Sequence, residues 1–221
     1  YLPAGKLRFH FRLPGAVTDY QRSLDLRTAV AETAFLAGGI PFKRSVFASH
    51  PAELIVMQIA SGKPGSISFR ANLDSEIHGE FGCNADTIFF NGKCPVHDRY
   101  ATLIWENHGR AGICYQIRVK VLASGGTISA QPNGMLEVAE ADRATVLISI
   151  RSNFTGCKIR PENSFLIPEQ KCMADFSAVA EKTDSMLLQE HVADYQRLFS
   201  RSLLVFPECP EDRLPTDQRL H

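Results

Sequence analysis

At 221 residues the chain is long enough for one large domain or one and a half small ones. A globular chain of this size buries roughly 70–75% of its unfolded surface, so its core needs no staples. Lys plus Arg and Asp plus Glu each total 24, a net charge of zero, which leaves no global field to draw in nucleic acid or anionic lipid and argues against both as partners.

Residues 5–11 read as a first strand, with Leu7, Phe9 and Phe11 on one face and Lys6, Arg8 and His10 on the other. The stretch from Asp19 to Val30, running on through 44–51, predicts two antiparallel strands joined at Gly38 and Gly39. Leu24, Leu26, Thr28 and Val30 alternate with other residues as in a half-buried strand, and the two glycines supply the positive φ of a tight hairpin turn. Phe42 and Val46 then carry the returning strand, and so apolar a hairpin must lie against a second layer. Residues 54–59 are a near-continuous apolar run, as in a strand covered on both faces. After a turn at Lys63, Pro64 and Gly65, Ile67, Phe69, Ala71 and Leu73 alternate with Ser66, Ser68, Arg70 and Asn72.

Residues 74–110 are less regular, with a short strand at Ile88, Phe89 and Phe90 and a hairpin-turn signal at Asn91 and Gly92. Ile113, Tyr115, Ile117, Val119 and Val121 form another alternating strand, which Gly125 and Gly126 turn back toward Ile128. Two more strands follow, at 136–138 and 146–150, separated by the polar turn 140–143. No helical period interrupts this run, so the expected fold is mainly β: an antiparallel β-sandwich, supersandwich-like, followed by a C-terminal linker helix. Residues 153–172 read as a loop. From 175 to 200 the period becomes helical, with Leu187, Leu188, His191, Tyr195, Leu198 and Phe199 on one stripe. A short strand is expected at 203–206, and Pro207, Pro210 and Pro215 mark an extended linker. The expected units are a sandwich over 1–152, a loop over 153–172 and a helical linker over 173–221.

No run approaches a transmembrane span, and no signal-peptide core is present. The start at Tyr1, Leu2 and Pro3 reads as a piece of something longer. Six cysteines (Cys83, Cys94, Cys114, Cys157, Cys172 and Cys209) permit disulfides without making a disulfide scaffold. Cys83 and Cys94 flank one hairpin and are the pair placed best for a bridge, while Cys114 reads as a buried free thiol. The redox compartment stays open, with a secreted or periplasmic location favoured over a cytoplasmic one.

Hydrolysis by general acid–base catalysis calls for paired carboxyl groups. Asp74, Glu76 and Glu80 form one candidate set and Glu137, Glu140 and Asp142 another, but both read more simply as solvated loop charges. His78, His97 and His108 lie in the irregular region near Cys83 and Cys94, and Cys94 with His97 is the one close pair. No CxxC or HxxxH spacing supports a zinc site, and no metal or cofactor is expected. His191 and Asp194 stand one turn apart with no nucleophile beside them. The plainer reading has His191 and Tyr195 packing on the sheet while Asp194 and Arg201 anchor the helix. Asn153, Phe154 and Thr155 match a glycosylation sequon, and Trp105 with Tyr100 suggests either a sugar-stacking platform or core packing. No residue emerges as catalytic, cofactor-binding or metal-binding.

The motif Tyr20-x-Arg22-x-Leu24-Asp25-Leu26-x-Thr28-Ala29, followed by Arg44-x-Val46-Phe47-Ala48-Ser49-His50-Pro51, resembles the N-terminal β-domain of glycoside hydrolase family 95, the α-L-fucosidases and their relatives. The resemblance resumes at Leu136-Glu137-Val138-x-x-Ala141-Asp142-Arg143-Ala144-Thr145 and continues through His191-x-x-Asp194-Tyr195-Gln196-x-Leu198-Phe199-x-Arg201. It ends at Leu214-Pro215-Thr216-Asp217-Gln218-Arg219-Leu220, which is similar to the family's passage into its catalytic domain. The resemblance implies a β-sandwich joined by a helical linker to an (α/α)6 barrel that holds the catalytic Glu, Asp and asparagines and works with inversion. Those residues lie beyond the matched motifs, and the family's opening strands precede Tyr1, so an internal, non-catalytic piece of an α-L-fucosidase acting on terminal fucose of oligosaccharides is expected. Its partners would be the oligosaccharide, through the parent enzyme, and the barrel. The alternatives are an α-L-galactosidase, a family 65 disaccharide phosphorylase or a stand-alone carbohydrate-binding sandwich. An exposed aromatic platform would favour the last; an exposed apolar patch on the helix would favour a missing barrel.

Overall fold

In chain order the strands of the computed structural model are β1 (Lys6–Phe11), β2 (Val17–Asp25), β3 (Val30–Ala37), β4 (Ile40–Ser49), β5 (Leu54–Ser61), β6 (Ile67–Asp74), β7 (Gly79–Asn84), β8 (Thr87–Lys93), β9 (Val96–His97), β10 (Leu103–Ile104), β11 (Cys114–Ser124), β12 (Thr127–Gln131), β13 (Met135–Ala141) and β14 (Arg143–Ser152). Helices α1 (Leu166–Ala178), α2 (Asp184–Phe199) and α3 (Thr216–Arg219) follow. The structure describes residues 2–97, 103–104, 112–131, 134–159, 161–204, 207 and 209–219. Among these, no helix is long and apolar enough to cross a membrane.

Two antiparallel sheets make the expected sandwich. The larger runs β2-β3-β4-β5-β14-β11-β8-β7 and the smaller β1-β6-β13-β12, while β9 and β10 pair separately. Period-2 alternation decides which side chains meet between the sheets. Leu7, Phe9 and Phe11 of β1 and Phe69 and Ala71 of β6 pack on Phe42, Ile59, Phe90, Ile117, Val119 and Val146 of the large sheet. The opposite face of the large sheet is apolar as well: Val30, Phe47, Leu54, Val56 and Leu147 pack on Phe176, Val179 and Leu187 of the helical region. The result is three layers, with the large sheet in the middle. This explains the uninterrupted apolar run of β5, where Val56 faces the helices and Met57 and Ile59 face the other sheet.

Several local expectations change. The glycine turn is where the sequence puts it, with φ of 56° at Gly38 and 78° at Gly39, but the strand it closes is β3, not the whole of 19–30. That stretch is broken by a turn after Asp25, so Leu24 and Leu26 are 59% and 63% exposed on or beside an edge strand instead of half-buried. Asn91 and Gly92 form no turn. They lie inside β8, where Gly92 faces Tyr115 and the Asn91 side chain accepts a 2.7 Å hydrogen bond from Gln116. The glycine is there because the Tyr115 ring lies over it, and the real hairpin turn is at Ala85 and Asp86, with Ala85 at φ 45°. Gly125 and Gly126, and the turn near Asp142, close no hairpins. They carry the chain between sheets, since β11 and β14 belong to the large one and β12 and β13 to the small one.

The first helix begins at Leu166, inside the stretch read as a loop, and a break separates it from α2. Its sequence carries Pro168 in the first turn, where a missing N–H costs nothing. Leu203 and Leu204 are exposed and in no strand; Val205 and Phe206 lie outside the described residues.

A methyl group at Gly92 would stand 2.3 Å from Tyr115 Cζ, and the Tyr115 hydroxyl is committed to Ala4 O at 2.6 Å. Gly92→Ala should therefore destabilise the fold by about 1–3 kcal/mol, read as a lowered urea midpoint with unchanged slope. An unchanged midpoint would mean that the ring moves aside freely.

Candidate functional site

The turn between β2 and β3 is built by Asp25. Its carboxylate accepts the Arg27 N–H at 2.8 Å and the Thr28 hydroxyl at 2.9 Å. These two bonds hold the Asp25 carboxyl below its ordinary value of 3.8. With the turn fixed, three successive carbonyls point outward and α2 takes all of them. Tyr195 OH donates to Leu26 O at 2.9 Å, Gln196 Nε2 to Arg27 O at 3.2 Å and His191 Nε2 to Thr28 O at 2.9 Å. His191 is buried and stacks on Phe47 with ring centroids 4.8 Å apart. The stack continues from His191 to Tyr195 at 6.3 Å and from Tyr195 to Phe199 at 5.2 Å. A ladder of rings thus runs from the core to the exposed end of α2.

Polar contacts fix the rest of the helical layer. Asp175 of α1, itself buried, accepts from Ser149 Oγ at 2.6 Å and from the Arg151 guanidinium at 2.6 and 2.8 Å, and Arg151 also meets Glu53 at 2.7 Å. The fork geometry gives two parallel charge-assisted bonds and pushes the Arg151 pKa above its ordinary range. At the start of α2, Thr183 caps Met186 N–H at 3.3 Å, and Asp184 accepts from Thr145 at 2.8 and 2.9 Å. The helices are held to the sheet by apolar packing and by specified polar pairs.

At the far end of α2 the layer is open. A groove of about 570 Å³ lies among Ala48, His50, His191, Tyr195, Leu198 and Phe199. Leu198 and Phe199 of this lining are exposed, as are Leu203 and Leu204 after α2 at 79% and 78%; Leu26, which carries the carbonyl bound by Tyr195, is also exposed. The groove holds no nucleophile and no carboxylate pair; His50 and Asp194 meet at 3.5 Å on its rim.

The carboxylates weighed in the sequence do not converge. Asp74 pairs with Arg8 at 2.9 Å and Glu76 with Lys6 at 3.2 Å, while Glu80 is exposed. The Arg8 contact lowers the Asp74 pKa, the wrong direction for a general acid. Glu137 is shared by Arg12 and Arg70 at 3.3 and 3.4 Å, Asp142 accepts the Gly65 N–H at 2.7 Å, and Glu140 sits at φ 55° where β13 shifts register against β6. His191 and Tyr195 pack on the sheet side as expected, and both also hydrogen-bond to the Asp25 turn. Asp194 pairs with Arg197 and His50, while Arg201 is exposed and forms no ion pair among the described residues. The sequon asparagine is structural: Asn153 is buried, accepting from Cys114 N at 3.0 Å and donating to Glu162 O at 2.5 Å.

None of the six cysteines is in a disulfide, so Cys83 and Cys94 form no bridge. Burial pushes the thiols of Cys94, Cys114 and Cys172 up, which keeps them protonated. No group of three or more His, Cys, Asp or Glu among the described residues could hold a metal ion. Tyr100, Trp105, His108 and the side chain of His97 lie outside the described residues. The Asp175–Arg151 clamp escaped the sequence reading; the available signal was an acidic residue among the apolar positions of α1.

A family model described as glycosyl hydrolase family 65, N-terminal domain, matches residues 1–157. "Alpha-L-fucosidase 2" of Arabidopsis thaliana is 34% identical over 194 residues, covering 83% of this chain and 23% of that protein. "Probable alpha-fucosidase A" of Aspergillus niger is 24% identical over 199 residues, covering 87% and 24%. The chain thus spans about a quarter of the length of these curated relatives. Both matches are longer than the family domain, so the likeness runs beyond the sandwich. Among solved structures, "Putative kojibiose phosphorylase from human microbiome" superposes with a TM-score of 0.59 at 11% identity, covering 90% of this chain and 28% of that one, a likeness of fold. The resemblance to α-L-fucosidase N-terminal domains read from the motifs is borne out by these relatives.

Two anchors of the helical layer differ in expected weight. Asp175→Ala leaves Arg151 partly buried beside one remaining acid and should cost about 3–5 kcal/mol, whereas Tyr195→Phe removes one neutral hydrogen bond and should cost about 0.5–1.5 kcal/mol; chemical denaturation of both variants checks the order. The Asp25 turn should be acid-sensitive. Because its folded pKa lies below 3.8, its stabilisation is full above that value and is lost as pH falls through the lowered one. Amide exchange at Arg27 and Thr28 should accelerate over that window in the native chain and not in Asp25→Asn.

Proposed function

The chain belongs to the family of glycosyl hydrolase family 65 N-terminal domains, and on that premise we propose that it is the non-catalytic sandwich and helical linker of an α-L-fucosidase. The parent enzyme removes terminal fucose from oligosaccharides with inversion, and its chemistry resides in a helical barrel outside this region. The observation that carries the reading is the apolar end of α2: Leu198 and Phe199 are exposed and line an open groove, and Leu203 and Leu204, which follow α2 in the chain, are exposed as well. A stand-alone sandwich gains nothing from such a surface, and a domain that seats a second domain requires one. The scattered, cation-paired carboxylates support the same division of labour, since hydrolysis needs two carboxyl groups across one bond. The fucosidase names of the relatives support fucose as the sugar. The role of this region is then to hold the barrel at a fixed angle through the clamped helices.

One second reading has specific support, because the matching family model bears the family 65 name: a phosphorylase that cleaves a disaccharide with phosphate. The test is to assay the 221-residue chain and the full-length gene product on a terminal α-1,2-fucosylated oligosaccharide, with and without phosphate. Fucose release by the full-length protein alone, independent of phosphate, is the expected result. Turnover by the 221-residue chain would place chemistry in this region. Sugar phosphate formed only when phosphate is present would replace the fucosidase with a phosphorylase.

A further inference from the structure

The outer face of the large sheet changes character along the sheet. Under the helices, Phe47, Leu54, Val56 and Leu147 are apolar, but farther on β11 and β8 carry Arg118, Lys120, Thr87 and Phe89. Register makes neighbours of these four, Arg118 opposite Phe89 and Lys120 opposite Thr87. Helix α1 runs over β14 and β11, and between it and β8 opens a cleft of about 510 Å³, within the size range of small-ligand sites.

The side chains lining the cleft are already arranged. Arg118, only 11% exposed, is fixed by Glu169 at 2.8 Å and lies over the Phe89 ring at 5.4 Å. The Phe89 ring reaches across Gly82, where a Cβ would stand 2.3 Å from Cζ, so the glycine leaves room for the ring on the sheet. Lys120 is 3.6 Å from Asp86 at the turn between β7 and β8. Two cations and two carboxylates therefore line the cleft in pairs, and their charges cancel.

This lining selects a class of ligand. An anion meets cations that are already neutralised, and an apolar molecule would have to desolvate two ion pairs. A divalent cation finds two carboxylates on opposite walls, each held by a base. A hydroxyl group suits the charged walls, because it donates to a carboxylate and accepts from a guanidinium or ammonium, and the C–H groups of a sugar suit the apolar lining that Met173 and Phe176 add. We propose that the cleft between α1 and strands β8 and β11 binds a neutral, hydroxyl-rich ligand, a short saccharide, at a site separate from any hydrolytic centre. The choice of a saccharide among neutral polyols rests on the glycosidase reading above; the geometry of the cleft does not.

The test is a heteronuclear NMR titration of the 15N-labelled 221-residue chain with 2′-fucosyllactose, maltotriose and xylobiose, and separately with inorganic phosphate. The expected result is saturable shifts at Thr87, Phe89 and Lys120 with at least one sugar, at a dissociation constant on the order of 1 mM. Lys120→Ala and Asp86→Ala, both on partly exposed side chains, should each weaken that binding about tenfold without moving the thermal midpoint. No sugar shifts up to about 10 mM, shifts confined to other surfaces, or tighter binding of phosphate to these residues would overturn the proposal. Binding of a non-fucosylated sugar sustains the cleft and leaves the fucosidase reading to the activity assay, so the two can fail separately.

Discussion

Everything in this fold depends on one constraint: the eight-stranded sheet is apolar on both faces over its central strands and must be covered twice. The four-stranded sheet covers one face and the helix pair the other, so α1 and α2 are an integral third layer. Helices of 13 and 16 residues are marginal alone in water, and their apolar contacts with Phe47, Leu54, Val56 and Leu147 supply what propensity does not. Each such side chain is worth about 1.5–3 kcal/mol when fully buried. Packing of that kind is non-directional, however, and would tolerate sliding. The polar pairs at Asp175, Asp184 and the three turn carbonyls remove that freedom and give the layer a single register.

Much of the architecture was legible because period-2 alternation and a two-sided apolar run have few structural solutions. The strands around Phe69 and Val119 and the covered strand around Val56 fall where the alternation puts them. What misled was local chemistry overridden by a distant partner. Asn91 and Gly92 look like a turn, yet the Tyr115 ring requires a glycine opposite it in the ladder. The alternation from Leu24 to Val30 looks like one strand, yet Asp25 folds the backbone on itself and the apparent core leucines become surface. The start of α1 was obscured by Pro168 and a polar surround, since its packing face is only a few residues wide. Sheet-crossing turns at Gly125 and near Asp142 cannot be told from hairpins without knowing which edge each strand joins.

The junction of the Asp25 turn with α2 was legible in part. The sequence placed His191 and Tyr195 against the sheet, and it gave prominence both to the motif around Asp25 and to the motif around Tyr195. Nothing in either motif says that they touch. They lie about 170 residues apart, and the link is made by backbone carbonyls of Leu26, Arg27 and Thr28, which have no sequence signature. The exposed leucines after α2 could be counted in the sequence, but without the fold they read as an ordinary strand. Exposure is a property of what fails to cover a residue, and the sequence does not display it.

The two ends of the helical layer differ in how they are bound, and the difference bears on what the layer transmits. Near α1 the contacts are charged and directional, a forked guanidinium against a buried carboxylate, so displacement there breaks several bonds at once. Near the end of α2 the contacts pass from hydrogen-bonded His191 to half-buried Tyr195 to exposed Phe199, a gradient from fixed to adjustable. A layer clamped at one end and apolar at the other is fixed where its bonds are charged and adjustable where they are not. The clamp sets the position of α1, Asp184 with Thr145 sets the start of α2, and the apolar end can adjust by side-chain repacking, which core-like surfaces tolerate when volume is conserved. Displacement of the apolar end would therefore reach the sandwich through Phe47 and the carbonyls of Leu26 and Thr28, the points where the ladder of rings meets the sheet.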